Sequence, residues 1–240
     1  MEWHDSGTVL SARPHGETGM LIEVFTRDHG RHSGIVPGGI SRKKAAMLQP
    51  GSHLSLRWRA RLQDQLGTFT PEPLKSRAGA MSDRLALLGL SATCALLGFA
   101  LPDREPHLRL FSASEPLFDV IGMVHDGWIL DYLRWEMMLL EDLGYGLDLT
   151  RCAVTGSRDH LAFVSPKTGR AVSPEGAGEW APRLLPLPQF LLGQGSATLA
   201  EVEDGLRLTG HFLQHRLATA LGDRPLPAAR QRFLDALARA

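Results

Sequence analysis

The stretch Leu54-Ser55-Leu56-Arg57-Trp58-Arg59-Ala60-Arg61-Leu62 decides how the N-terminal third is read. A strand alternates its side chains, so Leu54, Leu56, Trp58, Ala60 and Leu62 share one face while Arg57, Arg59 and Arg61 share the other. One face is core and the other is a cationic ridge. At about 3.3 Å per residue the three guanidinium groups stand roughly 7 Å apart, near the spacing of successive phosphates on an extended single strand. Upstream, Arg42, Lys43 and Lys44 follow Gly38-Gly39 in a loop whose glycines allow close approach to a phosphate, and Arg27 and Arg31 come earlier still. From residue 27 to 61 these eight basic residues meet a single acid, Asp28.

An outward arginine row is also what an ordinary solvated strand face looks like. The whole chain, however, holds 26 basic and 26 acidic residues, so a local excess of seven is segregated charge rather than generally high charge. Segregation favours a nucleic-acid face in the N-terminal part.

With 240 residues and 43% hydrophobic content, the chain has ample material for one large packed domain or two modest ones. Met1-Glu2-Trp3-His4-Asp5 has no apolar leader pattern, and the apolar run 85–101 is interrupted by Ser91, Thr93 and two glycines and is shorter than the roughly 20 residues a bilayer requires. The expectation is a soluble, cytoplasmic protein without a membrane segment. Cys94 and Cys152 do not form a disulfide framework and fit a reducing compartment.

Turn signals divide the first 75 residues into five expected strands, 8–13, 20–26, 31–36, 53–62 and 66–75, with turns at Pro14-His15-Gly16, Asp28-His29-Gly30, Pro37-Gly38-Gly39 and Asp64-Gln65. That is the size of a small barrel of the oligonucleotide/oligosaccharide-binding (OB) kind. From Ser82 the period changes to that of a nearly all-apolar helix ended by Pro102. Further helices are expected over 115–124, capped by Ser114 before Pro116, and over 128–143, 206–221 and 228–240. The Gly/Pro-rich span 150–190 carries one expected hairpin within 161–172.

Read in order, Gly7-Thr8-Val9-Leu10, His15-Gly16-Glu17-Thr18, the segment 21–30, Gly38-Gly39-Ile40-Ser41-Arg42, Leu48-Gln49-Pro50-Gly51 and the junction 135–152 resemble the bacterial RecO family of recombination and repair mediators. The resemblance implies an α+β protein: a five-stranded OB-fold barrel over 1–78 that binds single- and double-stranded DNA, then a helical domain over 79–240. It also implies annealing of complementary strands, partnership with RecR, capture of the C-terminal tail of single-strand-binding protein, and indirect help in loading RecA. Some family members hold structural zinc through two Cys-x-x-Cys pairs. Here those pairs read Cys152-Ala153-Val154-Thr155 and Ser173-Pro174-Glu175-Gly176, a degenerate zinc-finger-like segment with one thiolate left, and His160 is the only nearby substitute. No metal or other cofactor is expected, and Cys152 reads as a small buried residue.

Catalytic readings are weak. His29 and His32 flank Arg31, His125-Asp126 closes a helix, and His211 and His215 stand four apart without a third ligand or a glutamate base. Asp103, Glu105 and Glu115, or Glu201, Glu203 and Asp204, read as solvated charge clusters. No complete catalytic set accompanies them, so the expectation is a non-enzyme. The competing reading is an RNA- or tRNA-associated OB-fold module, or an enzyme built on the same barrel. Trp58 is expected in the core, with Trp3, His53 and Phe69 as candidate base-stacking residues.

Overall fold

A computed structural model describes residues 1–62, 65–124, 127–195 and 197–239. His125-Asp126 and Asp64 of the expected turn fall outside these residues.

The N-terminal strands are β1 (Glu2–His15), β2 (Gly19–Thr26), β3 (Gly30–Val36), β4 (His53–Arg59) and β5 (Thr68–Lys75), with a short helix α1 (Arg42–Met47) between β3 and β4. Their order is β1-β2-β3-β5-β4, and β4 pairs back onto β1. Closure depends on a narrow seam, the single parallel pairing of Ile35 with Thr68 between β3 and β5. β1 serves two neighbours: residues 2–8 pair with β4 and residues 7–15 with β2, with a register shift between Val9 and Ser11 that bends the strand. Inside lie Val9, Ile22, Val24, Val36, Leu48, Leu54, Leu56, Trp58 and Phe69. Each large apolar side chain withdrawn from water here contributes roughly 1.5–3 kcal/mol.

Three sequence expectations need correction in this region. β4 ends at Arg59, so Leu62 is exposed rather than core and Arg61 lies beyond the ladder. The basic segment after Gly39 is not a loop, because residues 42–47 form α1. β1 begins six residues earlier than the sequence indicates, since residues 2–6, polar apart from Trp3, are held by their ladder to β4 and by Trp3 packing on the barrel core.

The helices are α2 (Arg84–Ala100), α3 (Leu108–Gly122), α4 (Trp128–Asp142), α5 (Pro174–Ala177), α6 (Leu199–Phe212), which continues into a π-helical stretch over 213–218, and α7 (Ala228–Leu237). Asp83 caps α2, accepting from Ala86 N at 2.7 Å. Helix α3 starts seven residues before the expected position and contains Pro116. Burial of Leu110, Phe111, Leu117, Phe118 and Ile121 along one stripe outweighs the hydrogen bond that the proline ring removes. Helix α6 also starts early, at a capping box in which Thr198 and Glu201 satisfy each other's backbone N–H groups. The expected hairpin forms between β6 (Phe163–Val164) and β7 (Ala171–Val172), and β8 (Leu185–Pro186) joins it.

By compactness the chain forms two units. One comprises residues 1–128 and 227–240, the barrel with α2, α3 and α7; the other comprises 129–226. That compactness boundary differs from a division at residue 78, because α2 and α3 pack on the barrel. Leu90 of α2 sits where a side chain on Gly51 would collide with it at 2.8 Å, and Phe111 of α3 meets Phe25 of β2 at 5.3 Å. Among the described residues no helix is long and apolar enough to cross a membrane.

Candidate nucleic-acid interface

β4 presents Arg57 and Arg59 outward because Leu54, Leu56 and Trp58 take the inner face, and Trp58 is only 2% exposed. Both guanidinium groups converge on Glu2 of the neighbouring strand, Arg57 through Nε and Arg59 through Nε at 2.9 Å from Oε2. The Arg57 hydrogen bond holds the Glu2 carboxyl below the usual range. Arg61 is exposed past the strand end and, with Met1, Glu2 and Arg59, lines a shallow hollow of about 440 Å³. The ridge exists, but an unforeseen carboxylate partly neutralises it.

The other expected contacts differ in availability. Arg27 stands exposed on the turn after β2, 3.8 Å from Asp28. Arg42 and Lys43 are exposed at the start of α1, and Lys44 donates to Pro37 O at 2.6 Å. Arg31 is directed elsewhere: its side chain is 18% exposed and its guanidinium binds Glu23 at 2.6 Å, Gly98 O at 2.8 Å and Asp103 at 2.7 Å. It joins β3 to the end of α2 and the segment after it.

Two of the expected stacking residues are unavailable. Phe69 is buried opposite Trp58, and His53 is held between Thr8 and Glu115. Trp3 remains half-exposed and belongs to a feature that the sequence did not reveal, a cavity of about 340 Å³ lined by Met1, Glu2, Trp3, Asp28, His29, His32, Trp58 and Arg104. The rings form a ladder. Trp3 stacks on Trp58 at 5.7 Å and 18°, and on His29 at 4.1 Å and 9°. Asp5 orients His29 through Nδ1 at 2.9 Å. His32 is 4% exposed and its Nε2 has no hydrogen-bond partner in the protein. Burial, reinforced by the Arg104 and His29 charges, lowers its pKa to about 4.

The cavity is positioned by a close backbone approach. Gly30 has φ +63°, and a Cβ there would strike Glu105 O at 2.0 Å, so only glycine lets the 103–105 segment lie on the β2–β3 turn. Arg104 N donates to Arg31 O at 2.8 Å, which fixes Arg104 in the left-handed region at φ 62°.

Four of the six acids considered for catalysis have structural partners. Asp103 binds Arg31, Glu115 binds Arg77, Glu201 completes the α6 cap and Asp204 pairs with Arg207. His211 and His215 lie with ring centroids 4.6 Å apart, and among the described residues no three His, Cys, Asp or Glu side chains converge to hold a metal. Cys152 is buried, and its Sγ accepts from Thr155 N at 3.4 Å, Ser173 N at 3.3 Å and Ser173 Oγ at 3.4 Å. Burial pushes this thiol up, but the donors from Ser173 and Thr155 outweigh it and bring it to about 6. Cys94 is a free, buried thiol raised to about 12 by burial.

The family model described as Recombination protein O N terminal matches residues 1–77, and that described as Recombination protein O C terminal matches residues 81–225. The chain belongs to the RecO family. Among its RecO relatives, the DNA repair protein RecO of Ruegeria sp. is 60% identical over 240 residues, covering all of this chain and 99% of the relative. The DNA repair proteins RecO of Cereibacter sphaeroides and Paracoccus denitrificans are similar at 59% and 54% identity, covering 100% and 99% of this chain and 100% and 96% of the respective relatives.

Proposed function

We propose that this chain is a DNA-binding mediator of recombinational repair that works without a catalytic step. The observation that carries the reading is the outward pair Arg57 and Arg59, with exposed Arg61 just past the strand end, on a five-stranded barrel with a hydrophobic core, in a chain matched along most of its length by RecO family models. The barrel acts as an OB-fold over 1–78, and phosphates track along Arg27, Arg42, Lys43, Lys44, Arg57, Arg59 and Arg61. Arg31 supports the barrel instead, since its guanidinium is already ion-paired on two sides.

Cations that neutralise two strands at once lower their mutual repulsion, so the protein accelerates annealing of complementary strands, stoichiometrically and without nucleotide hydrolysis. The region 79–240 supports the family's protein partners: RecR, the acidic tail of single-strand-binding protein, and through them RecA, all in the cytoplasm. The segment 152–176, zinc-finger-like by resemblance, is held by hydrogen bonds to its one thiol. Ser173 and Thr155 donate to the one remaining sulfur, and Gly176 N donates to Ser173 Oγ at 3.2 Å.

The test is titration of the full chain with single- and double-stranded DNA across a range of salt concentrations. A linear fall of log K with log salt is expected, with a slope of about 0.7 per single-strand phosphate contact. Salt-independent or absent binding overturns the reading. Stronger binding of a matched RNA than of DNA would move it to the RNA-associated class.

A further inference from the structure

We propose that the cavity at the Trp3–Trp58 end of the barrel is a nucleobase slot, in which an unpaired base stacks on the Trp3–His29 ring pair and hydrogen-bonds to His32 Nε2. This rests on the DNA-binding reading above and adds to it. The cationic ridge explains attraction to any polyanion, whereas the slot contacts the base itself.

Three observations converge here. The first is a ready-made stack: Trp58, Trp3 and His29 form a ladder whose outer member, His29, is only partly covered and is held in orientation by Asp5. A flat π-face extends such a ladder, and stacking accepts any base because each presents one. The second is the orphaned nitrogen. His32 is almost fully buried, is one of the residues lining the cavity and carries an unsatisfied Nε2, and an unpaired buried polar atom is costly unless something meets it. A neutral imidazole nitrogen matches the donors and acceptors of a base edge.

The third is the charge pattern. Glu2, Asp28 and Arg104 line the cavity, and Arg59 and Arg61 line the adjoining hollow that shares Met1 and Glu2. The two carboxylates offset Arg104 and the Met1 ammonium, so the lining has no net cationic charge to draw a phosphate inward, and an uncharged base suits it. The neutral part of a nucleotide therefore enters, and its phosphates remain on the arginines outside. A cavity of about 340 Å³ lies within the range of small-ligand sites.

The experiment compares a short oligothymidylate with an abasic strand of equal length and phosphate number, both titrated against the full chain by anisotropy and by quenching of tryptophan fluorescence. The base-bearing strand should bind about tenfold tighter, the value of one stacked base, and should quench. His29→Ala, at a half-exposed position, and Trp3→Leu should each erase most of that difference while leaving abasic-strand affinity and salt slope unchanged; Trp3→Phe should retain it. Equal binding of both strands by the wild-type chain overturns the slot and leaves the phosphate track standing. A difference that survives both substitutions overturns the slot as well. Failure of both strands to bind removes the phosphate track along with it.

Discussion

Arg77 and Glu115, 38 residues apart, meet at 2.7 Å beneath the barrel, with the Arg77 side chain only 3% exposed. The same guanidinium donates to Asp119 from Nε at 3.0 Å and from Nη2 at 2.8 Å, and to Thr8 Oγ1 and Gly51 O from Nη1, both at 3.0 Å. It therefore joins β1, the turn before β4 and helix α3 in one fully donated fork. Arg77→Met is expected to cost about 3–5 kcal/mol in urea unfolding, because Glu115 and Thr8 lose their shared partner. Arg77→Lys should rescue little, since a point ammonium cannot span those acceptors. An unaltered denaturation midpoint for Arg77→Met would refute the network's role.

The same pair sets an acid limit. Burial pushes the Glu115 carboxyl up, but the hydrogen bond from His53, the Arg77 charge and the Thr8 hydroxyl outweigh it and hold the carboxyl at about 2. An acid depressed in the folded state stabilises fully above its unfolded value, near 4.5, and that contribution is lost as pH falls from there to about 2. The loss should be on the order of 3 kcal/mol at one pKa unit per 1.36 kcal/mol. Glu115→Gln should flatten the stability profile in that window, as read by unfolding at a series of pH values.

On the outer face of β4 and just past its end, Arg57→Ala, Arg59→Ala and Arg61→Ala combined should leave the melting temperature nearly unchanged, because Arg57 and Arg59 point away from Trp58 and Arg61 is exposed. The log–log salt slope for single-stranded DNA should fall by about 2, at roughly 0.7 per contact. An unchanged slope would shift the phosphate track to Arg42, Lys43 and Lys44.

Glu2 holds Arg57 and Arg59 at once and so competes with DNA for both. Glu2→Gln is expected to tighten single-strand binding and steepen the salt slope by up to about 0.7, one phosphate equivalent. Weaker binding would mean that Glu2 orients the arginines rather than restraining them.

At Cys152, replacement by alanine leaves Thr155 N and the two Ser173 donors without an acceptor and should cost about 1–3 kcal/mol, whereas serine should cost less because it can still accept. Elemental analysis of the purified full chain should find no stoichiometric zinc. A one-to-one zinc content lost with Cys152→Ser would instead make the thiolate a ligand.

The sequence by itself determined what local periodicity encodes. Alternation along 54–59 separates core from cationic face; the apolar run after Asp83 makes α2; and Pro166-Lys167-Thr168-Gly169 turns the β6–β7 hairpin. These features depend on residues a few positions apart, so the pattern carries them. Strand and helix ends were less legible where a distant partner sets them. The polar start of β1 is a strand only because β4 lies beside it, and α3 runs through Pro116 because Phe111 and Phe118 find the barrel side and Arg77. The start of α6 is missed by the sequence reading although its signal is local: the Thr198–Glu201 capping box stands before the expected start at 206, and Glu201 reads there only as part of a solvated charge cluster.

Only the tertiary structure decided which charges are available and where a ring system opens. Arg31 reads in sequence like Arg27, yet Glu23, Gly98 and Asp103 from two other segments close around it. The ladder and cavity assemble from Trp3, His29, His32, Trp58 and Arg104, which span more than a hundred positions and share no period. Sequence spacing reports neighbours along one element. Pairing of a guanidinium, or the stranding of a buried nitrogen such as His32 Nε2, depends on what other elements bring within hydrogen-bond reach, and that is fixed only when the barrel closes.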